Sequence, residues 1–205
     1  MTTKEIFKFL RDEIHTTVFA TTDSDGLPVT CVIDIMLAKE ERLYFITAKG
    51  KSFYDRLVNR GYVALSGLKG EDTMSSVSVS IKGHVRDIGD GLMDEVFEKN
   101  DYMNRIYPTV VSRKALTVFE VYKGSGEYFD LSKQAIERYS FVFGGEEQKL
   151  GQTYSINTNC TGCGACLNVC PTSCIDEGVP FSIQGEHCLH CGNCFDVCTF
   201  MAIDR

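Results

Sequence analysis

No stretch of this 205-residue chain approaches eighteen consecutive apolar residues, so no membrane-spanning helix is expected. Positive charge is also short. Lys and Arg number 21 against 28 Asp and Glu, a formal net charge of −7, which argues against nucleic acid as a partner. The shortage deepens along the chain: from residue 131 onward, Lys133, Arg138, Lys149 and Arg205 face eight acidic residues. Such a surface would steer a basic partner or simply be solvated. The opening M-T-T-K-E-I-F-K-F-L-R-D-E interrupts its apolar residues with charge, so no signal peptide is expected. Nor is there the strand–helix alternation of a parallel α/β fold.

What the chain has is cysteine, ten in all. In a secreted protein that number would imply a disulfide framework. The spacing implies something else. C-T-G-C-G-A-C-L-N-V-C begins at Cys160, and C-L-H-C-G-N-C-F-D-V-C begins at Cys188, with seventeen residues between the runs. Each is C-x2-C-x2-C-x3-C, the bacterial ferredoxin run that holds iron–sulfur clusters through thiolates. Residues 154–205 resemble the clostridial-type two-cluster ferredoxin domain, a small α+β unit. The fourth Cys of each run then crosses to the other cluster. That assigns Cys160, Cys163, Cys166 and Cys198 to one [4Fe–4S] cluster, and Cys188, Cys191, Cys194 and Cys170 to the second. Gly164 and Gly192, lacking Cβ, are expected to let backbone approach sulfide. Thr199 stands where that family usually has Pro, and Cys174 is an additional cysteine whose default reading is a small buried residue. Thiolate chemistry places the chain in a reducing cytoplasm.

The first 131 residues read differently. Thr2 and Glu5 form a capping-box pattern ahead of a helix over 2–14, with Ile6, Phe9, Leu10 and Ile14 on one face. The period then changes to two. Strands are expected over 17–22 and 28–35, joined by the turn D-S-D-G, and over 42–47 after K-E-E-R. The loop A-K-G-K-S leads into a helix over 53–60, with Ser52 and Asp55 as a second capping box and Gly61 as its stop. Free N–H groups, a positive dipole end and Lys51 would converge there as an anion site, with a plain β–α loop as the alternative. Further strands fall over 62–67, 76–86 and 114–122, the last running on toward Phe129, with a helix over 90–99. About six strands without βαβ units imply a small antiparallel barrel.

These elements, in this order, resemble the FMN-binding split barrel of the pyridoxamine 5′-phosphate oxidase-like superfamily. The carriers are H-T-T-V-F-A-T-T from His15, D-G-L-P from Asp25, R-L-Y-F-I-T-A-K-G-K-S from Arg42 and I-K-G-H-V-R from Ile81. The resemblance implies a mainly β fold: a six-stranded antiparallel split barrel with flanking helices, and FMN at a homodimer interface. Thr47, Lys51 and Ser52 would contact the phosphate, with Lys49 as a possible addition. Val32 and Ile46 would flank the flavin, largely through backbone. No residues match the substrate site of the true oxidases.

The expected layout is a barrel over 1–131, a packed connector over 132–153 carrying Phe141, Val142 and Phe143, and the ferredoxin domain over 154–205. Together these imply a cytoplasmic iron–sulfur flavoprotein oxidoreductase. Two [4Fe–4S] clusters would handle single electrons and FMN would handle pairs. Its partner would be a small organic acceptor or a redox protein. An electron carrier without organic substrate and a redox sensor stay open, as do haem or deazaflavin in place of FMN. His15 and His84 are candidate proton donors. His187 and His190 flank cluster cysteines, and Cys31 is either a buried strand residue or a flavin contact.

Overall fold

The computed structural model describes residues 1–147 and 154–205. The last six residues of the expected connector, 148–153, lie outside the described residues. The chain forms two units. The first comprises residues 1–69, 78–127 and 141–147; the second comprises residues 70–77, 128–140 and 154–205.

Helix α1 (Thr3–Phe9) starts on the Thr2–Glu5 capping box, which forms in both directions. The helix does not run regularly to residue 14. Leu10–Ile14 is a π-helical turn, and its wider winding rotates the apolar stripe. Ile6, Phe7 and Leu10 are fully buried, whereas Phe9 and Ile14 are only partly so. The expected stripe assumed a constant 3.6-residue period, which a π turn breaks.

Strands β1 (Thr16–Thr22), β2 (Pro28–Asp34), β3 (Leu37–Lys39) and β4 (Arg42–Ala48) follow. β1 pairs with β2 from Thr16↔Asp34 to Thr22↔Pro28. Asp23 closes their turn by accepting from the backbone N–H of Asp25 and Leu27. The stretch expected as one strand to Ile35 changes partner at that residue. Ile35 N–H donates to His15 O, and the next N–H, of Met36, donates to Tyr44 O on β4. This corner separates β2 from the short β3 and carries the chain from one edge of the sheet to the other.

Helix α2 (Ser52–Arg60) ends on Gly61, which is left-handed at φ 60°. Then come β5 (Tyr62–Lys69), β6 (Val77–Gly89), α3 (Met93–Lys99), α4 (Met103–Ile106), α5 (Val110–Arg113), β7 (Leu116–Asp130) and β8 (Glu137–Phe143). The sheet runs β2-β1-β5-β6-β7-β4-β3, with β8 also on β7. It therefore has eight strands rather than six. One addition is β3; the other is β8, contributed by residues expected as connector. Phe143 of β8 is 2% exposed and meets Phe7 edge-on at 5.0 Å. The core continues through Phe19, Phe45 and Phe119, with centroids 4.8 and 5.6 Å apart in sequence. Burying such rings contributes about 1.5–3 kcal/mol each.

The second unit carries two short hairpin-like ladders around two short helices. β9 (Ser155–Ile156) pairs with β12 (Ile203–Asp204), and β10 (Ile175–Asp176) pairs with β11 (Ser182–Ile183). Helices α6 (Ala165–Val169) and α7 (Asn193–Val197) each follow a left-handed glycine: Gly164 at φ 78° and Gly192 at φ 85°. That conformation favours glycine, and a Cβ at Gly164 would meet no other protein atom within 4 Å. At Gly192 a Cβ would also lie 3.0 Å from the Tyr154 hydroxyl.

Candidate cluster and cofactor sites

The cysteines sort into two cavities within the second unit. One is lined by Cys160, Cys163, Cys166 and Cys198, together with Phe181 and Ile203. The other is lined by Cys170, Cys188, Cys191 and Cys194, with Cys174 and Ile175 beside them. They enclose about 330 and 310 Å3 of empty space respectively, open solvent included. Each cavity thus takes three cysteines from one run and the last cysteine of the other. Helices α6 and α7 bring this about, because Cys166 and Cys194 lie on them while Cys170 and Cys198 cap their C-termini.

The donor set suits iron–sulfur chemistry. Backbone N–H groups point at the sulfurs: Phe181 N–H to Cys160 Sγ at 3.5 Å, His190 to Cys188 at 3.4 Å and Ala202 to Cys198 at 3.3 Å. Such bonds favour the thiolate. Burial opposes it, raising the Cys166 and Cys194 thiols above the ordinary value, so loading the cavities would release protons. Cys174 is 3% exposed. Burial pushes its thiol up to about 12, and its Sγ lies 3.6 Å from that of Cys170. His187 donates through Nδ1–H to Ile136 O, 2.6 Å away, which ties its ring to backbone.

In the first unit the end of β4 and the start of α2 form a cradle. Thr47 is 3% exposed, and its hydroxyl is buried without a hydrogen-bond partner. An orphaned buried hydroxyl costs about 1–3 kcal/mol, so a ligand oxygen there would remove a standing penalty. Helix α2 begins at Ser52 with Lys51 as N-cap and no side-chain cap bond. The expected Ser52–Asp55 capping box therefore does not form. Ser52 sits one position inside the helix, and its hydroxyl accepts from Arg56 Nη1 at 3.2 Å. This leaves the helix start open to an anion. Arg56 also donates to Thr21 Oγ1 at 2.7 Å. Its charge and that of Lys51 reach Cys31, whose thiol is nevertheless raised by burial. Sequence reasoning missed Arg56; its position four residues after Ser52, one helical turn on, was the available signal.

The remaining expected residues are more spread out. Lys49 is exposed, with its N–H on Ala115 O. Ile46 turns its side chain into the core beside Met93 and Val96. Val32 is 65% exposed on β2. His84 is exposed and lies 5.0 Å from the Tyr62 ring. Two polar centres had no local signal. Glu120, 3% exposed, accepts from Arg42, Tyr44 and Arg86 at 2.7, 3.0 and 2.6 Å. Asp34, Tyr102 and His15 meet at the β2–β3 corner.

An antiparallel barrel-like sheet with an orphaned Thr47 hydroxyl thus shares one chain with two four-cysteine cavities. Residues 2–128 match the pyridoxamine 5′-phosphate oxidase family, and the chain belongs to that family. Residues 153–199 match the 4Fe-4S dicluster domain, which supports iron–sulfur clusters in this region. Among solved structures, a NimC/NimA family protein from Clostridium acetobutylicum is 18% identical with a TM-score of 0.55, covering 68% of this chain and 93% of that one. A heme binding protein from Mycobacterium smegmatis is 10% identical with a TM-score of 0.54, covering 69% and 58%. A conserved hypothetical protein from Mycobacterium tuberculosis is 14% identical with a TM-score of 0.53, covering 74% and 93%. At these identities the likeness is one of fold. No curated protein matches the chain. Among the described residues no helix is long and apolar enough to cross a membrane.

Proposed function

We propose that this chain is an iron–sulfur flavoprotein oxidoreductase that reduces a small organic acceptor. The observation that carries the reading is the pairing, in one chain, of two four-cysteine cavities with a cradle holding an orphaned threonine oxygen at an uncapped helix start. Cys160, Cys163, Cys166 and Cys198 hold one [4Fe–4S] cluster; Cys188, Cys191, Cys194 and Cys170 hold the other. Thr47, Lys51 and Ser52 hold the FMN phosphate, with Lys49 and Arg56 adding positive charge. Val32 and Ile46 border the flavin through their backbone.

The clusters supply single-electron steps and the flavin supplies paired ones. The protein supplies position and field. N–H groups at Cys160, Cys188 and Cys198 stabilise sulfur charge, which raises the reduction potential of whatever those sulfurs bind. Lys51 and Arg56 neutralise a phosphate dianion that the helix start alone would hold more weakly. A homodimer with FMN at its interface completes the site; Val18 and Val32, cross-strand neighbours 46% and 65% exposed, form apolar surface suited to a second copy. The domains are proposed at 1–131, 132–153 and 154–205, in a cytoplasmic protein.

The test is anaerobic purification of the full chain with iron, FMN and the visible spectrum measured together. About eight irons per chain with one flavin support the reading. The same iron with a haem spectrum, or with no chromophore in the barrel, overturns its flavin half and leaves the cluster half standing.

A further inference from the structure

Three titratable side chains from three elements meet at the corner where β2 gives way to β3. His15 ends the π-helical turn, Asp34 ends β2, and Tyr102 precedes α4. His15 Nε2 lies 3.1 Å from the Tyr102 hydroxyl. That hydroxyl donates to Asp34 Oδ2 at 2.7 Å, and Nε2 is itself 3.6 Å from the same oxygen. Thr16 donates to the other carboxylate oxygen at 2.7 Å. The phenol has one proton, which goes to Asp34, so it accepts from Nε2–H. The opposite nitrogen, Nδ1, has no partner among the described residues.

The backbone holds this ring at a cost. His15 sits at φ 62°, ψ −63°, the γ-turn conformation that is rare and strained for any residue with a side chain. The π turn before it is a feature that concentrates at functional sites. Strain of this kind persists only where surrounding structure over-determines it. The His15 and Asp34 side chains remain 32% and 28% exposed, so the ring is fixed at one nitrogen and open at the other.

The proposed function sets Val32 beside the flavin. Asp34 is two residues beyond Val32 on the same strand and therefore on the same face of it. Register places Thr16 opposite Asp34 and Val18 opposite Val32. The charged groups around the ring are Asp34 on β2, Tyr102 before α4 and Arg11 on the π turn, whose charge reaches Tyr102. Burial, then the hydrogen bond and charge of Asp34, raise the phenol above its ordinary value, which keeps Tyr102 protonated.

We propose that His15 is the proton donor of the reductive reaction, with Tyr102 and Asp34 as its positioning residues. This rests on the flavin reading above. With 2-cyclohexenone as the probe acceptor, the β-carbon would take a hydride from reduced flavin and the α-carbon a proton from Nδ1–H of doubly protonated His15. One C=C π bond is lost and two C–H bonds form. The imidazole is left neutral, still donating through Nε2–H to Tyr102, and regains its proton from water.

The test uses the anaerobic full chain loaded with FMN, as wild type and as His15→Asn and Tyr102→Phe, with iron and flavin content measured in each. Asn tolerates positive φ better than most residues. The flavin is reduced with stoichiometric dithionite, and its reoxidation is followed with 2-cyclohexenone, which needs a proton, and with ferricyanide, which does not. His15→Asn is expected to slow cyclohexenone reduction roughly 100-fold while ferricyanide reduction stays within about twofold. A second readout is independent of turnover: 15N NMR of the histidine ring in the oxidised, resting protein. Cyclohexenone should move the His15 Nδ1 resonance, and Tyr102→Phe should move Nε2. Equal slowing with both acceptors, no slowing with either, or a silent Nδ1 resonance overturns the donor role while flavin is still bound. FMN-loaded wild type that reduces no cyclohexenone overturns the donor role. A wild-type chain that binds no flavin overturns the parent reading instead.

Discussion

Replacing Thr47 by Val should move two properties in opposite directions. The hydroxyl is buried and unpartnered, in a strand residue registered against Thr117 of β7. Removing it at nearly constant shape discards an unsatisfied polar group worth about 1–3 kcal/mol, and Val suits a strand position. The flavin-free protein should therefore gain about 1–2 kcal/mol, or roughly 2–6 °C in the melting of the first unit. If the same hydroxyl meets the phosphate, the variant forfeits a charge-assisted hydrogen bond of about 1.5–3 kcal/mol. That corresponds to roughly 10- to 150-fold weaker FMN binding. Thermal melting followed by circular dichroism gives the first number, and quenching of flavin fluorescence gives the second. A general packing defect would lower both stability and affinity. That result, or unchanged affinity in a more stable protein, would refute the placement of Thr47 against phosphate.

Other outcomes follow from the remaining sites. Lys51→Ala should weaken FMN binding by about tenfold, the effect of losing one phosphate-facing cation, and leave iron content intact; a matching iron loss would point to misfolding. Cys198→Ala should damage the cluster built on Cys160, Cys163 and Cys166, whereas Cys170→Ala should damage that on Cys188, Cys191 and Cys194. Mössbauer or EPR spectra in which each variant harms its own run would overturn the crossed assignment. Glu120→Gln should cost about 1–3 kcal/mol at pH 7, set below the figure for a fully buried pair because Arg42 and Arg86 keep 48% and 54% of their side chains exposed. Although burial acts to raise it, hydrogen bonds from Arg42, Arg86 and Tyr44 hold the Glu120 carboxyl below its ordinary value. Its contribution is thus present above the unfolded glutamate value and lost as pH falls through the lowered folded one. The gap between wild type and Glu120→Gln in urea unfolding should close in acid; a gap independent of pH would refute the ionic account.

Features set by neighbours in sequence were legible; those set by distant residues were not. The Thr2–Glu5 box, the Gly61 stop and the alternation of Val79, Ile81 and Val85 each depend on a few adjacent positions. The cysteine runs are equally local, and a spacing rule sufficed to divide them into two sets. The Ser52 cap failed because the chain enters α2 one residue earlier, so Lys51 takes the cap position. Phe7 was overlooked although Ile6, Phe7 and Leu10 share one face at regular helical spacing. Tyr102 and Asp34 stand 68 positions apart, and Arg42 and Glu120 78 apart. Only the completed sheet brings them together. β8 escaped because residues 132–153 were expected as a connector, and only the completed sheet shows Glu137–Phe143 among them pairing with β7.

The crossing of the cysteine sets has a consequence for biosynthesis. The cavity that begins with Ile156 and Cys160 is walled by Cys198, Ala202 and Ile203, and β9 has no partner until β12 exists. The earlier run cannot close around anything while the ribosome still holds the later one. The second cavity likewise waits for Cys194 although its Cys170 emerges early. Neither cavity can therefore hold its full set of cysteines until both runs have been made.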